Sequence, residues 1–130
     1  MYQSVTEHIR VSVRPEFVEG QSQPEQNKYM WAYTITVENL SADTVTLLTR
    51  HWIITDGMGR SQNVRGDGVV GEQPTLKPGQ RFEYTSGCPL TTPSGMMVGS
   101  YGMITAGGRP FEVSVPAFSL DSPHDRHSVN

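Results

Sequence analysis

A chain of 130 residues with net charge −3 and one cysteine is long enough to bury a single core. The charge excludes a general nucleic-acid footprint, and the lone Cys88 excludes an intrachain disulfide or a multi-cysteine zinc site. No apolar run approaches membrane-spanning length and none follows the N-terminal charges, so neither a membrane span nor a signal peptide is expected, and a reducing cytoplasm is the default location.

Taken in order, Glu7 to Arg14 alternates: Ile9, Val11 and Val13 share one face and His8, Arg10, Ser12 and Arg14 the other, the mark of a half-buried strand. Pro15 lacks a backbone donor and predicts a strand end or an edge position. Residues 19–27 (EGQSQPEQN) are polar and read as a mobile loop. Tyr29 to Glu38 is the clearest strand, with Trp31, Tyr33, Ile35 and Val37 on one face. A turn-rich connection covers residues 39–43.

The next strand, Val45 to Thr55, is apolar on both faces. Leu48, Trp52 and Ile54 share one parity with Arg50, while Leu47 and Ile53 share the other with His51. Such a strand needs both faces covered. Either a β-bulge shifts the parity, which is the favoured reading, or part of the strand meets another chain.

A turn at Asp56-Gly57-Met58-Gly59 leads into a polar strand, Arg60 to Arg65, and then into the glycine loop Gly66-Asp67-Gly68-Val69-Val70-Gly71. Pro74 to Gln80 closes on a Pro-Gly turn. Arg81 to Ser86 points Phe82 and Tyr84 inward. After a turn at residues 91–95, Met96 to Thr105 carries Met97, Tyr101 and Met103 on one parity and Met96, Val98 and Ile104 on the other. These methionines fill a core more readily than they form an adaptable contact surface. Gly107-Gly108 turns the chain into Pro110 to Val115, which Pro116 is expected to end, although Phe118 and Leu120 remain able to pack. Residues 1–120 form one domain on this reading, and 121–130 fray. Seven or eight short antiparallel strands without a helix predict an all-β, immunoglobulin or fibronectin type III-like β-sandwich.

Three long stretches, RHWIITDGMGRSQNVRGDGVVGEQPTLKPGQRFEYTSG, TTPSGMMVGSYGM and PFEVSVPAFSL, occur in that order. With Arg50-His51-Trp52, the glycine loop, Pro78-Gly79, Tyr84-Thr85-Ser86-Gly87, Gly95-Met96-Met97 and Pro116-Ala117-Phe118 as landmarks, the chain resembles the bacterial ApaG family from about Val5 to Leu120. The resemblance implies a fibronectin type III-like sandwich and a small cytoplasmic protein whose bacterial relatives are linked to cobalt and magnesium resistance. It also implies kinship with domains of eukaryotic F-box proteins and of a DNA-polymerase-interacting protein, where protein binding is the suspected role. No catalytic activity is established for the family.

The glycine loop spells G-x-G-x-x-G, yet Pro74 leaves little room for the helix that a dinucleotide site needs, and no βαβ unit is visible. A weaker form is an anion nest for pyrophosphate or a nucleotide polyphosphate, built on Arg65, Gly66, Asp67, Gly68 and Gly71, with Asp67 opposing it by repulsion. A plain strand connection is the bland and favoured alternative. For metals, His124, Asp125 and His127 sit in the tail, His8 and His51 on strands, and Asp56, Asp67 and Glu72 near turns; nothing fixes their geometry, so no metal site or cofactor is expected. Cys88 before Pro89 reads as a small buried residue, and no nucleophile stands near a base, so no catalytic residue is named. The function expected is a non-catalytic protein-interaction module using an apolar strip of Leu47, His51 and Ile53. Its partner is a protein of unstated identity, with a homodimer as one form.

Overall fold

The computed structural model describes residues 1–125. Among them nine strands form: β1 (Tyr2–Thr6), β2 (Ile9–Phe17), β3 (Tyr29–Asn39), β4 (Val45–Asp56), β5 (Ser61–Asp67), β6 (Thr75–Leu76), β7 (Arg81–Leu90), β8 (Gly95–Thr105) and β9 (Pro110–Leu120). One antiparallel sheet runs β1-β2-β3-β7. The other runs β5-β4-β8-β9, with the two-residue β6 on β4. The two sheets face each other as the expected β-sandwich. No helix of the described residues is long and apolar enough to cross a membrane.

Alternation builds the first sheet. Val11 and Val13 on β2 lie opposite Val37 and Ile35 on β3, and all four are fully buried. Two short features escaped the sequence reading. β1 precedes the first expected strand, and Glu7-His8 is the turn joining it to β2, with φ of 47° and 66°. Pro15 does not end β2. It lies opposite Tyr33 beyond the point where β1 has run out, since Tyr2 pairs with Val13. There β2 has only one neighbour, and the missing N–H has no strand to serve on the other side. The 19–27 loop holds two short 3-10 turns, Glu19–Gln21 and Pro24–Gln26.

Two bulges explain the mixed parity of the second sheet. On β4, Leu47 faces Met103 and Thr49 faces Gly102, so Leu48 is the extra residue. Val45 and Leu47 are buried before it, Trp52 and Ile54 after it. The expected bulge is therefore present, and it brings Leu47 before it and Trp52 and Ile54 after it to the same inner face, while Ile53 stays outward. On β9, Phe118 faces Met97 and Val115 faces Gly99, so Pro116-Ala117 oppose one residue. The strand continues through Pro116, contrary to expectation, because a bulge is a place where proline's lost donor is tolerated. Val113 and Val115 point inward before the bulge, Phe118 and Leu120 after it.

Between the sheets, the Trp52 ring meets Tyr33, Phe118 and Tyr101 with centroids 5.6, 6.0 and 6.4 Å away. The hydroxyls of Tyr84 and Tyr101 bond across the core at 2.5 Å. Fully buried Asn39 closes the β3–β4 turn: its Nδ2 donates to the carbonyls of Asp43 and Leu76, and its Oδ1 accepts from the Ser41 amide and hydroxyl. Of the tail expected to fray, residues 126–130 lie outside the described residues, and Asp121 and Ser122 are tied to the sandwich. Trp31 Nε1 donates to the Asp121 carbonyl at 2.8 Å, and the Ser122 hydroxyl donates to that of Pro93 at 2.6 Å. A buried indole needs an acceptor, and the tail supplies it.

Candidate functional site

The two sides of the sandwich differ. On one, β1 seals the edge of β9: the Ser4 hydroxyl donates to the Ser114 carbonyl, Thr6 Oγ1 accepts from the Ser114 amide, and Tyr2 Oη accepts from the Ser119 amide. Tyr2 also packs on Phe118. On the other side, β5 and β7 are the free edges of their sheets and are not paired. Between them opens a cleft of about 390 Å³ that reaches the core at Tyr33, Trp52, Tyr84 and Met97. Gln62, Val64 and the 69–71 loop wall it on one side, and Ser86, Cys88 and Pro89 on the other. A second cleft of about 610 Å³ continues it past Tyr29, Met30, Asp56, Arg60 and Leu90. Ile54, Gln62 and Pro89 line both.

Arg50 enters this cleft because the Leu48 bulge puts it on the inward parity with Trp52 and Ile54. Its head is braced by the chain: Nη1 donates to the carbonyls of Asp67 at 2.9 Å and Gly68 at 2.8 Å. The guanidinium passes over Gly66, where a Cβ would sit only 2.8 Å from Nη2. Among the described residues the ion pairs are Arg10–Glu38, Arg60–Asp56, Arg109–Glu7 and His124–Glu19, and Arg50 belongs to none of them. Burial pushes the Tyr33 phenol up, against a hydrogen bond with Ser86 and the Arg50 charge. Burial also pushes Tyr84 far up, against its bond to Tyr101 and the same charge. Cys88 is 3% exposed, and burial pushes its thiol up to about 11. The cleft therefore holds one fixed cation among neutral hydroxyls, a neutral thiol and apolar side chains.

The glycine loop is the favoured strand connection and does not form the alternative nest. Gly66 and Asp67 are still in the β4–β5 ladder, opposite Arg50 and Thr49. The Gly68 amide donates to the Leu48 carbonyl at 2.8 Å, and Val69 and Glu72 exchange amide–carbonyl bonds at 2.8 and 2.9 Å. These donors are consumed by the fold and cannot converge on an anion. Arg65 and Asp67 are exposed on the outer face of the second sheet, with Arg65 opposite His51. Gly71, at φ 81°, helps turn the chain. Gly68 is required by geometry: φ is 64°, and a Cβ would run into the Glu72 carbonyl. Gly68→Val is expected to lower stability by about 2 kcal/mol or more in urea unfolding, since a β-branched side chain resists positive φ.

The proposed strip of Leu47, His51 and Ile53 is divided. Leu47 is 0% exposed, because the bulge that follows it places it in the core, and it is not a surface residue. His51, hydrogen-bonded to Asn63 at 2.8 Å, and Ile53 remain on the outer face. Ile53 faces Val98, both 36% exposed. Met97 and Met103 fill the core as expected, and Met96 is exposed.

The carboxylates and histidines named for metals are scattered. Asp56 holds its own turn: Oδ1 accepts from the amides of Met58 and Arg60, and Oδ2 from Arg60 Nε. Desolvation raises its carboxyl, but these hydrogen bonds and the Arg60 charge outweigh it and leave it lowered. His8 lies in the β1–β2 turn. His124 rests against Phe17 and Tyr29 and bonds Glu19. His127 lies outside the described residues. Among those described, no three histidine, cysteine, aspartate or glutamate side chains stand where they could hold one metal ion.

Arg50 is the residue that sequence reasoning passed over. Its signal was present: an arginine sharing parity with Trp52 and Ile54 is a cation aimed at the core side.

The fold and the cleft define a two-sheet β-sandwich sealed along one side and open along the other, with a braced arginine in the opening. The ApaG domain model matches residues 19–105. Protein ApaG of Rhodospirillum centenum is 63% identical over the full length of both chains, and that of Afipia carboxidovorans is 56% identical over the same span. A Bordetella pertussis crystal structure assigned as ApaA superposes with a TM-score of 0.87 at 50% identity, covering 90% of this chain and 95% of that one. The C-terminal domain of wzt, at 10% identity and TM-score 0.56 over 95% of this chain and 78% of that one, shares the fold alone. The chain belongs to the ApaG family.

Proposed function

We propose that this chain is a non-catalytic protein-binding module of fibronectin type III-like design that acts in the cytoplasm and receives a partner's segment in the cleft between β5 and β7. One observation carries the reading: the sandwich is covered on its β1/β9 side and left open on the other, where a cleft of about 390 Å³ lined by Arg50, Gln62, Val64, Val70 and Ser86 lies between two free strand edges. Concave, mostly apolar sites with a few placed polar groups are where ligands bind, and free strand edges accept extended peptides. A binding role is favoured over catalysis because the one thiol in the cleft is held protonated and His8, His51 and His124 lie on other surfaces. On this reading the family's link to cobalt and magnesium tolerance passes through the bound partner.

The test is selection of phage-displayed twelve-residue peptides against the full chain, followed by affinity measurement on the Gln62→Trp variant. Gln62 is exposed and lines both clefts, so the indole blocks the groove without entering the core. The enriched peptides should bind the variant at least about tenfold more weakly, the loss of roughly 1.4 kcal/mol. Equal affinity for both proteins, or no enriched peptide, contradicts the proposal.

A further inference from the structure

We propose that Arg50 is a carboxylate-binding element, and that the segment this cleft takes presents one aspartate or glutamate side chain among apolar ones. The inference rests on the reading of the open side as the binding site, and it names the chemistry that side selects.

A guanidinium carries five N–H donors in a planar fork. The carbonyls of Asp67 and Gly68 take Nη1 and fix the fork's orientation. They satisfy hydrogen bonds but supply no negative charge. Among the described residues no carboxylate pairs with Arg50. The neighbouring Tyr33 and Tyr84 phenols and the Cys88 thiol are held neutral by burial and cannot act as counter-ions. A half-buried cation without a counter-charge, braced in an open cleft between two strand edges, is complementary to a carboxylate, and arginine binds that group through two parallel hydrogen bonds.

The rest of the lining limits what carries the charge. Trp52, Val69 and Met97 are already buried by the fold, and the apolar surface left at the mouth of the cleft belongs to half-buried Val64 and exposed Val70. A bare pyrophosphate would leave these two valines uncovered, whereas an apolar body that bears a single carboxylate covers them. The two clefts join at Ile54, Gln62 and Pro89, giving a groove that runs on past Met30 and Leu90. An extended peptide follows such a groove, whereas a small acid fills only the end near Arg50.

The experiment uses the peptides selected above on the full chain. Each acidic peptide is compared with its Glu→Gln or Asp→Asn counterpart on the wild type and on Arg50→Gln, Arg50→Lys and Gln62→Glu, with octanoate titrated in parallel. Enriched peptides should carry an acidic residue beside apolar ones. Neutralising it should weaken binding to the wild type by about tenfold to a hundredfold, as expected for a charged hydrogen bond, and change nothing further on Arg50→Gln. Gln62→Glu, an exposed substitution remote from the arginine's backbone braces, should weaken acidic peptides several-fold and spare neutral ones. Neutral peptides that bind the wild type as tightly as acidic ones, yet lose affinity on Gln62→Trp, overturn the carboxylate assignment and leave the cleft reading standing. Peptides indifferent to Gln62→Trp overturn both. Octanoate binding as tightly as the peptides overturns the assignment to a protein segment.

Discussion

Trp52→Ala is expected to cost about 3–5 kcal/mol of stability, measured as the shift in the urea unfolding midpoint at constant slope. Trp52 is 3% exposed and touches residues of both sheets: Tyr33 on β3, Tyr101 on β8 and Phe118 on β9. Deleting the indole removes its transfer free energy and leaves a void between layers that are each tied by backbone ladders and cannot collapse inward. The same void opens into the cleft, because Trp52 is part of its wall. A domain of this size has about 5–15 kcal/mol in total, so the variant should be partly unfolded at moderate temperature. A loss below about 1 kcal/mol would mean that the two sheets are not held together through this ring.

The second large effect is alkaline. Burial raises the Cys88 thiol from an ordinary value of 9.0 to about 11. The unfolded chain loses this proton above its own value while the folded chain keeps it, so stability falls as pH rises from about 9 to 11. At roughly 1.4 kcal/mol per unit the thiol alone accounts for about 2–3 kcal/mol. Burial also raises Tyr84 and Tyr101 from 10.0, which extends the loss above that pH. Urea midpoints measured from pH 7 to 11 should therefore be level and then fall. In Cys88→Ala the fall should begin about one unit later, where the tyrosines take over. A wild-type midpoint unchanged to pH 11 would contradict the burial of these groups.

The sequence revealed the fold more fully than the site, and the reason differs from element to element. β3 could be read directly because every second residue is large and apolar from Tyr29 to Val37. β4 looked contradictory, apolar on both parities, and the contradiction itself pointed to the Leu48 bulge. The matching switch on β9, from Val113 and Val115 to Phe118 and Leu120, carried the same information. It was hidden by Pro116, which reads as a stop but sits at the second bulge. The β1–β2 turn was not legible at all: Glu7 and His8 adopt positive φ without the glycine or asparagine that usually marks such a turn.

The site escaped for a different reason. The glycines of the 66–71 loop suggested phosphate contact, but Gly66 makes room for the Arg50 side chain and Gly68 for the Glu72 backbone. A glycine pattern records close approach without saying of what. The cleft gathers Tyr33, Arg50, Gln62 and Cys88 from four strands of two sheets, and only the tertiary fold brings them together.

The most direct measurement is an amide NMR titration of the full chain with one selected peptide. The account predicts saturable shifts clustered at Arg50, Gln62, Val64, Val70, Ser86 and Cys88, with the outer-face residues Arg10, Ile53 and Val98 unmoved. Saturable shifts centred on Ile53 and Val98, with the β5–β7 opening silent, would show that the outer face of the second sheet is the binding surface and that the cleft is not.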